Sequence, residues 1–127
     1  MTIAFWCVLA AAALIYLSTG IAKIGGRMPP KANHSPREWL DKLQGWPKRA
    51  HFAQQNGFEV FPIFAAAVIV ATLAHAPQGR IDTLALSFIA LRILYLILYL
   101  ADQAYPRTAV WMGGMVCIVW LFVLGAH

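Results

Sequence analysis

The sequence predicts an all-α integral membrane protein in which four spans form one helical bundle. Of the 127 residues, 61% are hydrophobic and only 12% are charged, whereas soluble domains are nearer half apolar and a quarter charged. Four apolar runs are each long enough to cross a bilayer at ~20 residues per span, and short breaks separate most of them. Short connections imply antiparallel neighbours, so we expect a single domain over residues 1–127.

The first span is predicted over residues 2–25. This run is rich in alanine and leucine, and Tyr16, Ser18 and Lys23 are among its few polar interruptions. It lacks a basic segment at its start and a clear small-residue cleavage site, so we interpret it as a retained span and not as a signal peptide.

A loop over residues 26–46 follows, opened by glycines and a pair of prolines. Within it, Ser35 is the expected N-cap of a short helix, Pro36 takes the first helical position, and Glu38 completes a capping box. The apolar residues of this helix include Trp39, and we expect them to lie at the membrane surface, where indole rings are favoured.

The remaining spans are predicted over residues 47–76, 81–104 and 107–125. The sequence APQG marks a tight turn between the second and third spans, and a Tyr-Pro pair separates the third from the fourth.

The cations of the chain are concentrated in one connection. Seven of the ten lysines and arginines fall there, namely Lys23, Arg27, Lys31, Arg37, Lys42, Lys48 and Arg49. No aromatic residues alternate with them as in single-strand binders, so nucleic acid is excluded as a partner. Under the positive-inside rule, we expect loops 26–46 and 105–107 to be cytoplasmic, with both termini on the other side.

The two cysteines, Cys7 and Cys117, lie inside apolar runs near opposite ends of the chain. Neither belongs to a pair with metal-ligand spacing, and two cysteines do not imply a disulfide framework. We interpret both as small buried thiols and predict no metal site.

The second span carries polar side chains on one face. At ~100° per residue, Arg49, Asn56 and Glu59 fall within one sector of about 80°. A carboxylate inside a span costs at least ~2.5 kcal/mol on the insertion scale unless it finds a partner. We therefore expect this face to point into the assembly, away from lipid.

The third span presents a matching face. Arg92 lies near its middle and is the expected partner of Glu59, while Tyr95, Tyr99 and Asp102 follow on the same face. One interpretation is structural, with a Glu59–Arg92 pair holding the bundle together. The other is a site for a ligand with several charges, because the two faces carry more polar groups than one buried pair needs.

Residues 49–62, RAHFAQQNGFEVFP, resemble the second-helix signature of the MAPEG family, the membrane-associated proteins in eicosanoid and glutathione metabolism. Ala53, Gln54, Asn56, Glu59, Phe61 and Pro62 occupy the matching places. Residues 90–108 are similar to the family's third helix and the turn that follows it. There the matching residues are Arg92, Tyr99 and Arg107.

The resemblance implies a homotrimer that binds glutathione, as a co-substrate, at its subunit interfaces. The implied reaction is glutathione transfer or peroxide reduction on a lipophilic small molecule that reaches the site through the lipid bilayer. Arg107 and Tyr99 are the implied catalytic residues, which stabilise the thiolate. The implied glutathione-binding residues are Arg49, Gln54, Asn56, Glu59, Arg92 and Tyr95.

Two positions depart from the family pattern. Phe52 stands where glutathione-binding members usually carry an arginine, and Val60 stands where a tyrosine often follows the glutamate. The alternative function is therefore a non-catalytic membrane protein whose polar stripe is structural or binds another anionic ligand. A small transporter is a third interpretation, but the sequence lacks the paired broken helices expected of one.

Overall fold

Four long helices carry the chain across the membrane. The computed structural model describes residues 1–126, and each of the long helices is apolar enough to span a bilayer. In chain order the elements are α1 (Ile3–Gly25), a 3-10 turn (Pro30–His34), α2 (Pro36–Asp41), α3 (Gly45–Leu73), α4 (Gln78–Leu100) and α5 (Ala104–Gly125). No strand occurs among residues 1–126, so the predicted four-helix membrane class is confirmed.

Three of the long helices start a few residues before the predicted positions. α3 starts at Gly45 instead of residue 47, α4 at Gln78 instead of 81, and α5 at Ala104 instead of 107. Two prolines mark helix starts and not breaks. Pro47 and Pro106 lie in the first turns of α3 and α5, where the missing N–H of proline is not needed for a helical hydrogen bond.

The ends of α3 and α4 also come earlier than predicted, because a residue in the left-handed conformation closes each helix. Asp102 has φ 59° and His75 has φ 56°. After Asp102, the N–H of Gln103 donates to the carbonyl of Leu98 at 3.0 Å, which satisfies the helix C-terminus. Asp102 therefore lies beyond α4 and does not share the face of Arg92, contrary to the sequence-based expectation.

Two polar contacts between distant segments mark the two ends of the bundle. Asp82 accepts a hydrogen bond from the N–H of Ala4 at 3.0 Å, which satisfies one of the free donors at the start of α1. At the other end, Arg49 Nη2 donates to the carbonyl of Leu100 at 3.1 Å, where a cation also suits the C-terminal end of a helix. We name this second end the loop side, because the connection 26–44 lies there.

α2 packs against the ends of α1 and α3 on the loop side. Its Leu40 is buried against Ala22 and Ala50. The half-exposed ring of Trp46 lies against Gly25, where an added Cβ would stand 2.2 Å from the ring. The absence of a side chain at Gly25 thus lets the first turn of α3 pack against the end of α1.

The capping box predicted for α2 is not formed. Ser35 precedes the helix and Pro36 is its first residue, as expected, but the Ser35 side chain makes no capping hydrogen bond. Its ψ of 68° departs from the extended conformation that usually aims an N-cap oxygen at the first turn. Glu38 therefore has no reciprocal partner at this position.

The core of the bundle combines small residues with stacked aromatic rings. Phe64 and Phe88 stack with their centroids 4.0 Å apart, and Ala11, Ala67 and Gly114 are buried. Small residues allow close approach of membrane helices, and these three do so within one subunit. Large apolar side chains cover the outer surface, as contact with lipid requires.

Gly57 sets the distance between α1 and α3. A Cβ at this position would lie 2.8 Å from Ile15 Cγ1, so we expect Gly57→Ala to lower the free energy of unfolding by ~1–3 kcal/mol through overpacking. Gly20→Ala is the matched control, because nothing lies within 4 Å of its added Cβ, and it should leave stability unchanged or raise it. Reversible unfolding in detergent measures both variants. Equal responses would show that the close approach of α1 and α3 is unimportant.

Candidate functional site

A row of polar and aromatic side chains runs from the middle of the bundle to its loop side. Arg92 Nη1 donates to Asn56 Oδ1 at 2.8 Å, and the same guanidinium lies 4.2 Å from the ring centroid of Tyr95. Tyr95 meets Tyr99 edge to face at 5.5 Å. The guanidinium of Arg107 lies 4.2 Å over the ring of Tyr99. We name these five residues the polar ladder.

Three helices build the polar ladder. The helical period places Arg92, Tyr95 and Tyr99 on one face of α4, while Asn56 comes from α3 and Arg107 from the first turn of α5. Cation–π contacts hold each guanidinium against a ring. The structure thus brings together five of the eight residues that the sequence predicted for the site.

A groove of about 200 Å³ opens beside the polar ladder. It is lined by Asn56, Tyr95, Arg107, Thr108 and Trp111. The indole N–H of Trp111 is buried and has no hydrogen-bond partner among residues 1–126. Small-molecule sites typically measure ~300–1,000 Å³, so this groove supplies only part of such a pocket.

The space behind the polar ladder, inside the bundle, is too small for a ligand. A cavity of about 20 Å³ lies between α1, α3 and α4, with Ser18 and Arg92 among its lining residues. That volume holds about one water molecule. A ligand larger than water therefore approaches the polar ladder from the outer side of the subunit.

Glu59 does not pair with Arg92 within one subunit. Arg92 bonds to Asn56 instead, and Glu59 is exposed on the surface of α3. Among residues 1–126 the one ion-pair contact joins His51 to Asp41. The predicted Glu59–Arg92 pair is therefore wrong for a single chain, because a shared helix face does not determine which of its side chains lies level with the guanidinium.

Gln54 contacts a histidine to which the sequence assigned no role. Gln54 Oε1 lies 3.1 Å from His51 Nδ1, and His51 Nε2 lies 3.0 Å from Asp41 Oδ1, at the end of α2. His51 is only 5% exposed. These contacts fasten α2 to α3 and turn Gln54 away from the polar ladder. The three-residue spacing of His51 and Gln54 on one helix face was a signal for this contact.

Phe52 adjoins the loop-side end of the polar ladder, with its ring centroid 6.5 Å from that of Tyr99. The ammonium of Lys48 lies 5.2 Å from the Phe52 centroid. Arg49, the other nearby cation, is held at the carbonyl of Leu100. Positive charge therefore remains next to Phe52, although the position itself carries none.

The cysteines take no part in the site. Cys7 and Cys117 are free and buried, and both belong to the main apolar core. Among residues 1–126 no group of histidine, cysteine or acidic side chains could hold a metal ion.

The Asn56–Arg92 hydrogen bond should appear as an energetic coupling between α3 and α4. A hydrogen bond to a charged group contributes about 1.5–3 kcal/mol. We therefore expect the double variant Asn56→Ala, Arg92→Met to lose less unfolding free energy than the sum of the two single losses, by ~1 kcal/mol or more. Asn56→Ala combined with Arg80→Gln, on the opposite end of the bundle, should be additive. Unfolding free energies in detergent measure both cycles, and additive losses in the first would show that the bond contributes no stability.

The similarity to known proteins extends over nearly the whole chain. The model of the MAPEG family matches residues 3–127, whereas a search of curated proteins finds no match. The four spanning helices agree with this match. The chain belongs to the MAPEG family and is an integral membrane protein that crosses the bilayer several times.

Proposed function

We propose that this protein is a glutathione-dependent membrane enzyme that acts on lipophilic electrophiles or hydroperoxides. The observation that carries the proposal is the polar ladder, in which two guanidinium groups, one amide and two phenols contact one another in a row across three helices. A structural pair would need far fewer polar groups than this.

The charges near the polar ladder complement those of glutathione. The tripeptide carries two carboxylates, an ammonium and a thiol. Arg92 is suited to bind a carboxylate, since its planar guanidinium matches carboxylate oxygens, and Glu59 is suited to the ammonium. Arg107 and Tyr99 lie nearest the loop side, where a guanidinium and a phenol can stabilise the thiolate.

The proposed chemistry begins with loss of the thiol proton, because the thiolate is the nucleophile. In the transfer reaction, the sulfur forms a bond to an electrophilic carbon, whose leaving group departs with the bonding electrons. In peroxide reduction, the sulfur takes one oxygen of the hydroperoxide and an alcohol leaves. A second glutathione then converts the sulfenic acid to disulfide and water. Arg107 stabilises the anionic sulfur before the bond forms.

An open apolar groove on the outer face of α5 adjoins the same place. Seven residues along α5 line it, including Trp111, Met115, Val119 and Trp120. Trp111 also lines the polar groove beside Arg107, so the two grooves meet at this ring. A lipophilic substrate in the bilayer would therefore approach the thiolate along α5.

The proposed site requires more than one copy of the chain. The polar groove measures about 200 Å³, and Glu59 is exposed on a membrane helix, where lipid contact costs several kcal/mol. A neighbouring subunit would complete the groove and cover the carboxylate. We propose a homotrimer for this assembly, with the loop side facing the cytoplasm according to its cations.

A second function is favoured by Phe52, which occupies a place where a cation would contact the ligand. In that case the polar ladder binds an anionic molecule other than glutathione, without turnover. Calorimetry with glutathione separates the two functions: binding supports the enzyme, whereas no heat at millimolar glutathione supports the alternative.

Arg107→Ala tests the catalytic assignment. We expect the variant to bind glutathione but to lose the ultraviolet absorbance of the bound thiolate. Its turnover of chlorodinitrobenzene should fall ~10²–10³-fold, because one contact to a developing anion has been removed. Arg107→Lys should retain part of the rate, and Arg80→Ala, at the other end of the bundle, should keep all of it. An Arg107→Ala protein that forms thiolate and turns over at the parent rate would end this assignment.

Amine-reactive crosslinking in native membranes tests the assembly. We expect dimer and trimer bands from the parent chain and from Glu38→Gln, whose carboxylate lies in the loop. Glu59→Gln should reduce both bands, because its carboxylate is the group that a neighbour must satisfy. Monomer alone for the parent chain would remove the interface site.

A further inference from the structure

The loop that joins α1 to α3 contains a second groove, remote from the polar ladder. It lies between the 3-10 turn Pro30–His34 and α2, and its volume is about 350 Å³. The lining includes the basic residues Lys31, His34 and Lys42, together with Glu38 and Trp39. None of these residues belongs to the proposed glutathione site.

The positive charge of this groove is only partly compensated by the carboxylates among residues 1–126. Lys31 and Lys42 are exposed, and neither forms an ion pair with a carboxylate in the part of the chain that the structure describes. Of the two carboxylates in the loop, Asp41 contacts His51. Glu38 is the single acidic group among the lining residues.

The groove also lies where a bilayer presents its headgroups. α1 ends at Gly25 and α3 starts at Gly45, so the loop between them leaves and re-enters the membrane on the same side. Leu40, buried against Ala22, fastens α2 to the end of the bundle. Trp39 contributes an indole ring, the side chain most favoured at this depth.

We propose that this groove binds an anionic phospholipid whose headgroup carries a glycerol-type alcohol. Lys31 and Lys42 contact the phosphate as point charges, and basic clusters next to a membrane span attract anionic lipids. Glu38 accepts a hydrogen bond from a headgroup hydroxyl. Trp39 contacts the glycerol backbone at the membrane surface.

Native mass spectrometry with phosphatidylglycerol tests this site on the purified full chain. Lys31→Gln, Lys42→Gln removes two charges inside the groove, and Arg27→Gln, Arg37→Gln removes two exposed charges from the same loop outside it. We expect the groove variant to bind phosphatidylglycerol at least about tenfold more weakly, since direct hydrogen bonds to a charged phosphate are lost. The control variant should change by less than about threefold, because exposed charges are screened at physiological salt.

Two results would overturn the proposal. Equal losses in the two variants would show that only the general charge of the loop attracts the lipid. If millimolar glycerol phosphate displaced bound phosphatidylglycerol as effectively as added free phosphatidylglycerol does, the groove would be a site for a soluble phosphate. Retention of the helical circular dichroism spectrum in both variants shows that folding does not account for the loss, as expected for exposed side chains.

Discussion

The partial burial of Arg92 is the constraint on which the rest of the structure depends. A guanidinium near the middle of a membrane helix is costly unless protein groups replace its water. Asn56 supplies an oxygen at 2.8 Å, and Tyr95 covers one face of the guanidinium. To provide both, α3 and α4 must lie side by side with these faces together. Their apolar faces are then left for the core and for lipid.

The polar ladder continues the contacts of Arg92 along the bundle axis. Each aromatic ring contacts a cation and another ring, so a continuous row of contacts joins Arg92, near the middle of α4, to Arg107 at the loop side. Such an arrangement is preorganised, because the guanidinium groups are held before a ligand arrives. Among residues 1–126, Glu59 forms no ion pair in this arrangement and is exposed on α3. In the trimer that we propose, a second subunit would cover this carboxylate.

The sequence was sufficient for the architecture and for part of the site. Long apolar runs identify spans directly, because no water in the bilayer core can solvate an irregular backbone. The face shared by Arg92, Tyr95 and Tyr99 followed from helical spacing alone. The partner of Arg92 did not follow from the spacing, because the spacing along two helices does not reveal which of their residues lie at the same level along the bundle axis.

Local contacts were the other limit of prediction. The Tyr-Pro pair suggested a break, and the second span was predicted to begin at Pro47, yet both prolines lie in helical first turns. His51 gave no signal by composition, because its role depends on Asp41 reaching it from α2, ten residues away. The number of subunits depends on surfaces that meet in another chain, and no pattern within one sequence specifies them.

The contact between Asp82 and Ala4 has a consequence for the order of membrane insertion. These residues are 78 positions apart, and Gln78 also donates to the same carboxylate oxygen at 2.8 Å. While the chain is being synthesised, α1 enters the membrane long before α4 exists. Until then the Ala4 N–H must be solvated by water at the bilayer surface, and Thr2 alone caps the helix. The Ala4 N–H therefore gains its protein acceptor only when α4 arrives, so the start of the first span is completed by the third.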